Sequence, residues 1–554
     1  MDKKIILPIA LVLIVGLGLF WIINQRSSDL KDELRQNLEG EINGVLANSD
    51  YKDIIKDFYA GREYLEVWLF NGTLSDSGEG LLTQIEDSKY DGLQPEDYNL
   101  GQIYGLSTNA AKQGKKFKEL SSKQKVDLEL LLTEGFLMLA HDMEKGKVNP
   151  SVLDPDWKFE EKKTDVVYTE LLEEVANGVS VEKIFTSFYQ GLDLYVQGRE
   201  AMKSLYKIHE NDTLTWESEK IEGSVKVGEE HAAIPALRQR LAFWGFLEPN
   251  EVEDSMYFDS TMYRGLMKYQ ESNGMIPDGV IGALVAESLN NSPQKLIDIA
   301  SVNMERLRWM PKMDWEQEMV LVNIANYQLD YMEKSDTVFS AKVIVGKEYN
   351  ESPTFTALMS YIVFSPYWNI PNSITHNEII PAIKKNKGYL KEKKMEVVTN
   401  SGKPVDATNV NWNEIGDGFP YRIRQKPGGD NSLGLVKFMF PNEYNIYIHD
   451  TPARSLFDLE SRALSHGCIR IQNPEQFAKI LLKNGTWDDE KIKEAMNLEN
   501  EKVVELDRKI PVVLVYMTFW ADKSGKANFR PDVYQRDQAL LEALRDSKSS
   551  SDQA

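Results

Sequence analysis

The hydrophobic period of this chain changes near residue 295, and that one switch restricts it to folds in which helical and β-rich units are separate. Up to about Gly223, apolar residues recur every three or four positions, as in VDLELLLTEGFLMLAHDM from Val126 to Met143. That spacing gives a helix a single apolar stripe. From Lys295 onward the apolar residues come in short alternating or continuous runs: MVLVNIANYQL, FSAKVIVG, YIVFSPYWNIP, GLVKFMF, NEYNIYIHD and IPVVLVYMTFW. Runs of this kind are strands. The expectation is an α+β multidomain protein with a helical scaffold domain over 29–223 and a β-rich domain over 295–545. Between 371 and 421 the strand pattern gives way to a charged, helix-like stretch (HNEIIPAIKKNKGYLKEKKMEVV) and a polar loop. That span reads as an insertion lying over the sheet, capping it.

Between the two halves, residues 229–292 form a distinct unit. Leu237, Leu241, Leu266 and Tyr269 fit helix faces, and Asn273-Gly274 and Asp278-Gly279 mark tight turns. A compact three-helix module follows from this. Through FDSTMYRGLMKYQESNGMIPDGVIG it resembles the peptidoglycan-binding domain of cell-wall enzymes.

The first residues, MDKKIILPIALVLIVGLGLFWIINQRSS, carry no charged or polar side chain from Ile5 to Ile23. A run of that length suits a helix crossing the hydrocarbon layer. Lys3 and Lys4 precede it, and no small-residue cleavage site follows. The expectation is an uncleaved transmembrane anchor at 5–23, residues 1–4 in the cytoplasm, and the rest outside the inner membrane in the periplasm. The polar end, 547–554, reads as a disordered tail. With 86 acidic against 64 basic residues and a formal charge of -22, the chain lacks the basic footprint that nucleic-acid binding requires.

Cys468 is the only cysteine in 554 residues. It lies in HDTPARSLFDLESRALSHGCIRI, with His466 two positions before it and His449 nineteen before it. A thiol attacks as its thiolate, so a cysteine enzyme needs an imidazole within reach in space. His449, at a strand end that suggests little core burial, is the candidate base. The carbonyl of Asp450 is placed to fix its tautomer. Gly467-Cys468 offers a turn whose N–H groups can converge on an oxyanion, which points to acyl transfer. Asn473-Pro474-Glu475-Gln476 reads as a helix start with Asn as side-chain cap. A zinc site from His449, His466 and Cys468 is disfavoured because no further ligand spacing completes a tetrahedral set.

HDTPARSLFDLESRALSHGCIRI resembles the active-site signature of the L,D-transpeptidases, the YkuD-type catalytic domain. VNIANYQL, KVIVGKEYNESPTF, SPYWNIPNSI, RQKPGGDNSLGLVKFMFPN and FRPDVYQRD, with the earlier DFYAGREYLEVW and DGLQPEDY, resemble its larger YcbB-like subgroup. The resemblance implies that Cys468 attacks the third-residue carbonyl of a peptidoglycan tetrapeptide stem and releases D-alanine. The acyl group would then pass to the side-chain amine of an acceptor stem, making a 3-3 cross-link, with no metal or cofactor. His449 would be the base, oriented by Asp450, with Gly467 and Cys468 as oxyanion donors and Ser465 and His466 lining the site. Arg470 would bind a substrate carboxylate or, equally, close an internal salt bridge. Tyr367, Trp368 and Asn369 would belong to the substrate-capping region or simply pack an aromatic strand. Carbapenem-type β-lactams would acylate the thiol. The same site would act as an L,D-carboxypeptidase if water took the acyl group. A membrane-tethered wall-binding scaffold without turnover is the rival from outside enzymology.

Overall fold

The computed structural model describes residues 28–39, 44–106, 117, 120–160, 166–248, 255–413, 415 and 419–546. The apolar run 5–23, the short segment before it and the tail 547–554 lie outside the described residues. Among the described residues no helix is long and apolar enough to cross a membrane.

The period-3.6 half is helical. Its centre is α1 (Ser122–Lys145), opened by a capping box between Ser121 and Gln124. Leu128, Leu131, Leu132, Phe136 and Leu139 of α1 are buried in a core that α2 (Asp193–Glu210) joins through Tyr195, Ala201, Met202 and Leu205. A second core, built around Ile234, Leu237, Leu266 and Leu289, gathers α3 (Ile234–Phe243), α4 (Ser260–Ser272) and α5 (Ala283–Leu289) into the small module. Then α6 (Pro293–Trp309) returns to the scaffold and buries Ile297, Ala300, Met304 and Leu307 in its core.

The period-2 half follows. In chain order the strands are β1 (Met319–Asn323), β2 (Gln328–Glu333), β3 (Asp336–Gly346), β4 (Phe355–Phe364), β5 (Trp368–Asn369), β6 (Met395–Val398), β7 (Pro404–Val405), β8 (Arg422–Gln425), β9 (Val436–Met439), β10 (Ile448–His449), β11 (Ala463–Ser465), β12 (Ile469–Ile471) and β13 (Lys502–Val515). The main sheet runs β11-β3-β12-β10-β9-β4-β13-β1-β2, and β2 pairs back onto β3, so all of it but β11 closes on itself. The long β3 makes closure possible. Residues 336–342 pair with β2, while Val343 and Ile344 pair with β12. Inside lie Val320, Val343, Ile362, Phe438, Ile448, Ile469 and Val512. Helix α7 (Pro474–Leu481) covers one side with Phe477 and Leu481. Its start is where the sequence places it, but Asn473 caps it with a left-handed backbone (φ 54°) and no side-chain hydrogen bond.

The insertion is more ordered than a charged helix with a loop. Strands β7-β6-β8-β5 make a separate four-stranded sheet. Ile370, Ile379, Ile383, Val397 and Ile423 form its own core, flanked by Trp368, Trp412 and Phe419. A few well-spaced isoleucines suffice to bury one face of so small a sheet.

Candidate active site

Strands β10 and β12 run parallel, with Ile448 opposite Ile469 and His449 opposite Arg470. The two isoleucines are fully buried in the barrel core. Because side chains alternate along a strand, Tyr447, His449, Cys468 and Arg470 therefore share the other face. Lys437 of β9, opposite His449, joins them. The short apolar spacing IxI on both strands is what turns this polar set outward as a group.

Cys468 keeps part of its surface accessible, and its Sγ lies 3.8 Å from the Asn445 carbonyl. Burial pushes the thiol above its ordinary range, while the backbone and hydroxyl of Tyr447 and the Arg470 cation pull it down. Tyr447 itself is driven far up, first by burial and then by the charge and hydrogen bond of Cys468. Its ring stands 5.6 Å from that of His449, with the Lys437 ammonium 5.9 Å from its centroid.

His449 is 5% exposed, so it is a buried residue and not the rim residue its strand-end position suggests. The Nδ1 lies 2.6 Å from the Asp450 carbonyl oxygen. A carbonyl only accepts, so Nδ1 carries the hydrogen and Nε2 keeps its lone pair. Burial first, and the Arg470 cation second, lower its pKa to about 3 despite the backbone acceptors at Asp450 and Leu433. The resting site thus pairs a neutral imidazole with a neutral thiol. Asp450 is held in turn, its Oδ2 accepting from Leu435 N–H at 2.9 Å and its Oδ1 paired with Arg454 at 2.9 Å.

The turn before the cysteine is specific. Gly467 has φ 113°, a conformation that other residues rarely adopt. Its N–H, expected as an oxyanion donor, donates to Ser465 Oγ at 3.0 Å, and Ser465 Oγ donates to the Cys468 carbonyl at 2.6 Å. Ser465 therefore braces the turn from behind, and the Cys468 N–H is left as the donor on that loop. His466 turns away from this set toward the insertion, where its Nε2 lies 2.8 Å from Glu378 Oε1.

Arg470 has no ion pair among the described residues, and its Nε is buried without a partner, so the internal salt bridge expected as one alternative is absent there. Burial lowers its pKa and the thiol opposes that. Tyr367, Trp368 and Asn369 sit at the stem of the insertion. Arg424 stacks 4.3 Å over the Tyr367 ring, Trp368 packs on the insertion core, and Asn369 pairs with Arg424 in the small sheet. The Tyr367 hydroxyl also donates to Asn500 Oδ1 at 3.3 Å, and among the described residues no hydrogen bond or ring contact links the three to Cys468. The sequence places Tyr447 on the His449 face without a role, and it gives no sign of Lys437 as a member of the site. Alternation in NIYIHD and LVKFM puts both on a polar face, but only the strand register brings that face to the thiol.

Residues 317–503 match the family described as "L,D-transpeptidase catalytic domain", 230–289 the "Putative peptidoglycan binding domain" and 53–202 the "Scaffold domain". Over 251 residues the chain is 34% identical to the "Putative L,D-transpeptidase" of Haemophilus influenzae, a match covering 45% of this chain and 50% of the relative. The chain thus spans about half the length of the curated relative it matches. Among solved structures, the L,D-transpeptidase of Xylanimonas cellulosilytica aligns at 13% identity with a TM-score of 0.16, covering 54% of this chain and 100% of that one. The L,D-transpeptidase of Stackebrandtia nassauensis aligns at 12% with a TM-score of 0.20, covering 55% and 97%.

Proposed function

We propose that this chain, which carries an L,D-transpeptidase catalytic domain and a peptidoglycan-binding domain, cross-links peptidoglycan by acyl transfer through Cys468. The observation that carries the reading is the shared polar face. One thiol, one imidazole with its Nδ1–H tied to a backbone carbonyl, and two cations project from three adjacent strands.

In this reading Sγ attacks the third-residue carbonyl of a tetrapeptide stem while His449 Nε2 takes the thiol proton. The carbonyl electrons move to oxygen, and the Cys468 N–H meets that charge. Collapse of the intermediate breaks the peptide bond, and His449 returns the proton to the departing amine of D-alanine. The thioester is then attacked by the side-chain amine of an acceptor stem, which gives its proton to His449, forms the 3-3 amide and frees the thiol. Arg470 and Lys437 provide the positive charge a stem carboxylate requires. Asp450 positions the base, and Ser465, Gly467 and His466 shape the turn and its link to the insertion. Tyr367, Trp368 and Asn369 support the insertion as a cap. Carbapenem-type β-lactams enter as covalent analogues. The run 5–23 serves as the anchor that holds the enzyme in the inner membrane beside its periplasmic substrate.

The test is incubation of the full chain, wild type and Cys468→Ala, with disaccharide-tetrapeptide, followed by mass spectrometry. The expected product is a dimer lacking one D-alanine, formed by wild type alone. Loss of D-alanine without dimer reassigns the enzyme as an L,D-carboxypeptidase, and no change favours the wall-binding scaffold.

A further inference from the structure

Ser352 has no part in the steps above, yet it is fully buried directly behind the candidate nucleophile, in the loop between β3 and β4. Its hydroxyl works in both directions. It accepts from the Gly346 N–H at 3.0 Å and donates to the Gly467 carbonyl at 2.7 Å. The Tyr534 hydroxyl closes the ring, donating to the Gly346 carbonyl at 2.7 Å and accepting from the Ser352 N–H at 3.3 Å. The loop is packed so closely that a Cβ on Gly346 would stand 2.0 Å from the Asn350 carbonyl.

The Gly467 carbonyl and the Cys468 N–H are opposite ends of one planar peptide group, so they point in opposite directions. Holding the carbonyl inward turns the N–H outward. Glycine does not hold that orientation by itself, because its backbone tolerates many conformations, and the Gly467 N–H is already engaged with Ser465. We infer that Ser352 is a positioning residue that aims the Cys468 N–H at the oxyanion of acyl transfer, a role resting on the acyl-transfer reading above.

The helical domain reaches this device. Lys158 N–H donates to the Thr354 carbonyl at 2.7 Å and Thr354 N–H to the Asp156 carbonyl at 2.9 Å, a one-bridge pairing between scaffold and loop. Arg536 clamps the same loop, pairing with Glu351 and, at 3.4 and 3.3 Å, with Asp154 and Asp156. The scaffold domain therefore holds the loop that holds the turn.

Two reactions of the full chain separate aiming from mere packing. Acylation by a carbapenem forms the S–C bond, breaks the lactam C–N bond, delivers the thiol proton to the lactam nitrogen and passes through an oxyanion. Alkylation by iodoacetamide forms an S–C bond as iodide leaves and the proton goes to solvent, with no oxyanion at all. For Ser352→Ala, intact-mass kinetics are expected to show acylation slowed roughly tenfold to a hundredfold, with alkylation within about twofold of wild type. Tyr534→Phe, which keeps the Ser352 hydroxyl, is expected to show a smaller loss confined to acylation. Unchanged acylation in Ser352→Ala overturns the inference, and so does an equal fall in both rates, which would make the residue a packing element of the turn. A wild type that takes iodoacetamide but no carbapenem fails at the acyl-transfer reading itself and removes the inference with it.

Discussion

With burial and the Arg470 cation holding His449 to a pKa of about 3, the imidazole is already a neutral base across the physiological range. An ordinary histidine would switch acylation off in acid with a midpoint near 6.5. Here carbapenem acylation is expected to show no acid limb above about pH 4 and to climb with pH toward the raised thiol. A limb centred between 6 and 7 in the measured profile would contradict this. The same shift acts on stability. The folded pKa lies below the unfolded value, so the contribution is complete above about 6.5 and is lost as pH falls toward 3. His449→Gln is therefore expected to lose less on acidification than wild type in urea-midpoint measurements, although its neutral-pH midpoint is lower. Tyr447→Phe removes a hydroxyl that pulls the thiol down, and iodoacetamide alkylation at pH 7 is expected to slow by about three- to tenfold. Cys468 and His449 were legible in the sequence because thiol and imidazole are rare and their chemistry needs each other. Tyr447 was legible only as a neighbour on the His449 face; Lys437 and Ser352 were not legible, because lysine and serine are common and only register or loop closure gives them a place.

Among the elements, the insertion and the barrel differ in how they are held. The insertion rests on two stems that Asn431 ties together, its Nδ2 donating to the carbonyls of Pro366 at 3.0 Å and Lys426 at 2.9 Å. Asn431 is buried. Asn431→Ala leaves those carbonyls unpaired at a cost of about 1–3 kcal/mol. Faster hydrogen exchange throughout the small sheet, with the barrel strands unchanged, is the expected result. The existence of an insertion was legible from its charge and its break in strand pattern. Its sheet was not, because β5 and β7 are two residues long, β8 reads RIRQ, and elements so short carry no period. The closure of the barrel was equally hidden. A strand that pairs with two partners along its length looks in sequence like any other long strand.

At the scale of the molecule, a buried charged node locks α6, the helix that leads into the barrel, onto the scaffold. Arg308 donates to the Asp91 carbonyl, to Tyr195 Oη at 3.0 Å and to Glu305, whose other oxygen accepts from Val148 N–H at 2.7 Å and from Trp309 Nε1 at 3.0 Å. Asp91 is paired with Arg199 at 3.0 Å. Arg308→Met strands Glu305 without its cation, which typically costs about 3–5 kcal/mol. In calorimetry the scaffold is expected to melt ahead of the barrel in this variant, while wild type melts the two together. The periodicity switch announced both units. It carried no sign of the node that locks α6 onto the scaffold, because the residues concerned come from four distant segments. The order of the chain adds a consequence of timing. Strand β13, which fills the place between β4 and β1, and then Tyr534 and Arg536, which brace the loop behind Gly467, all follow Cys468 in sequence. At roughly 5–20 residues per second of synthesis, the thiol emerges several seconds before its supports, so a growing chain presents Cys468 while the residues that brace its turn are still unmade.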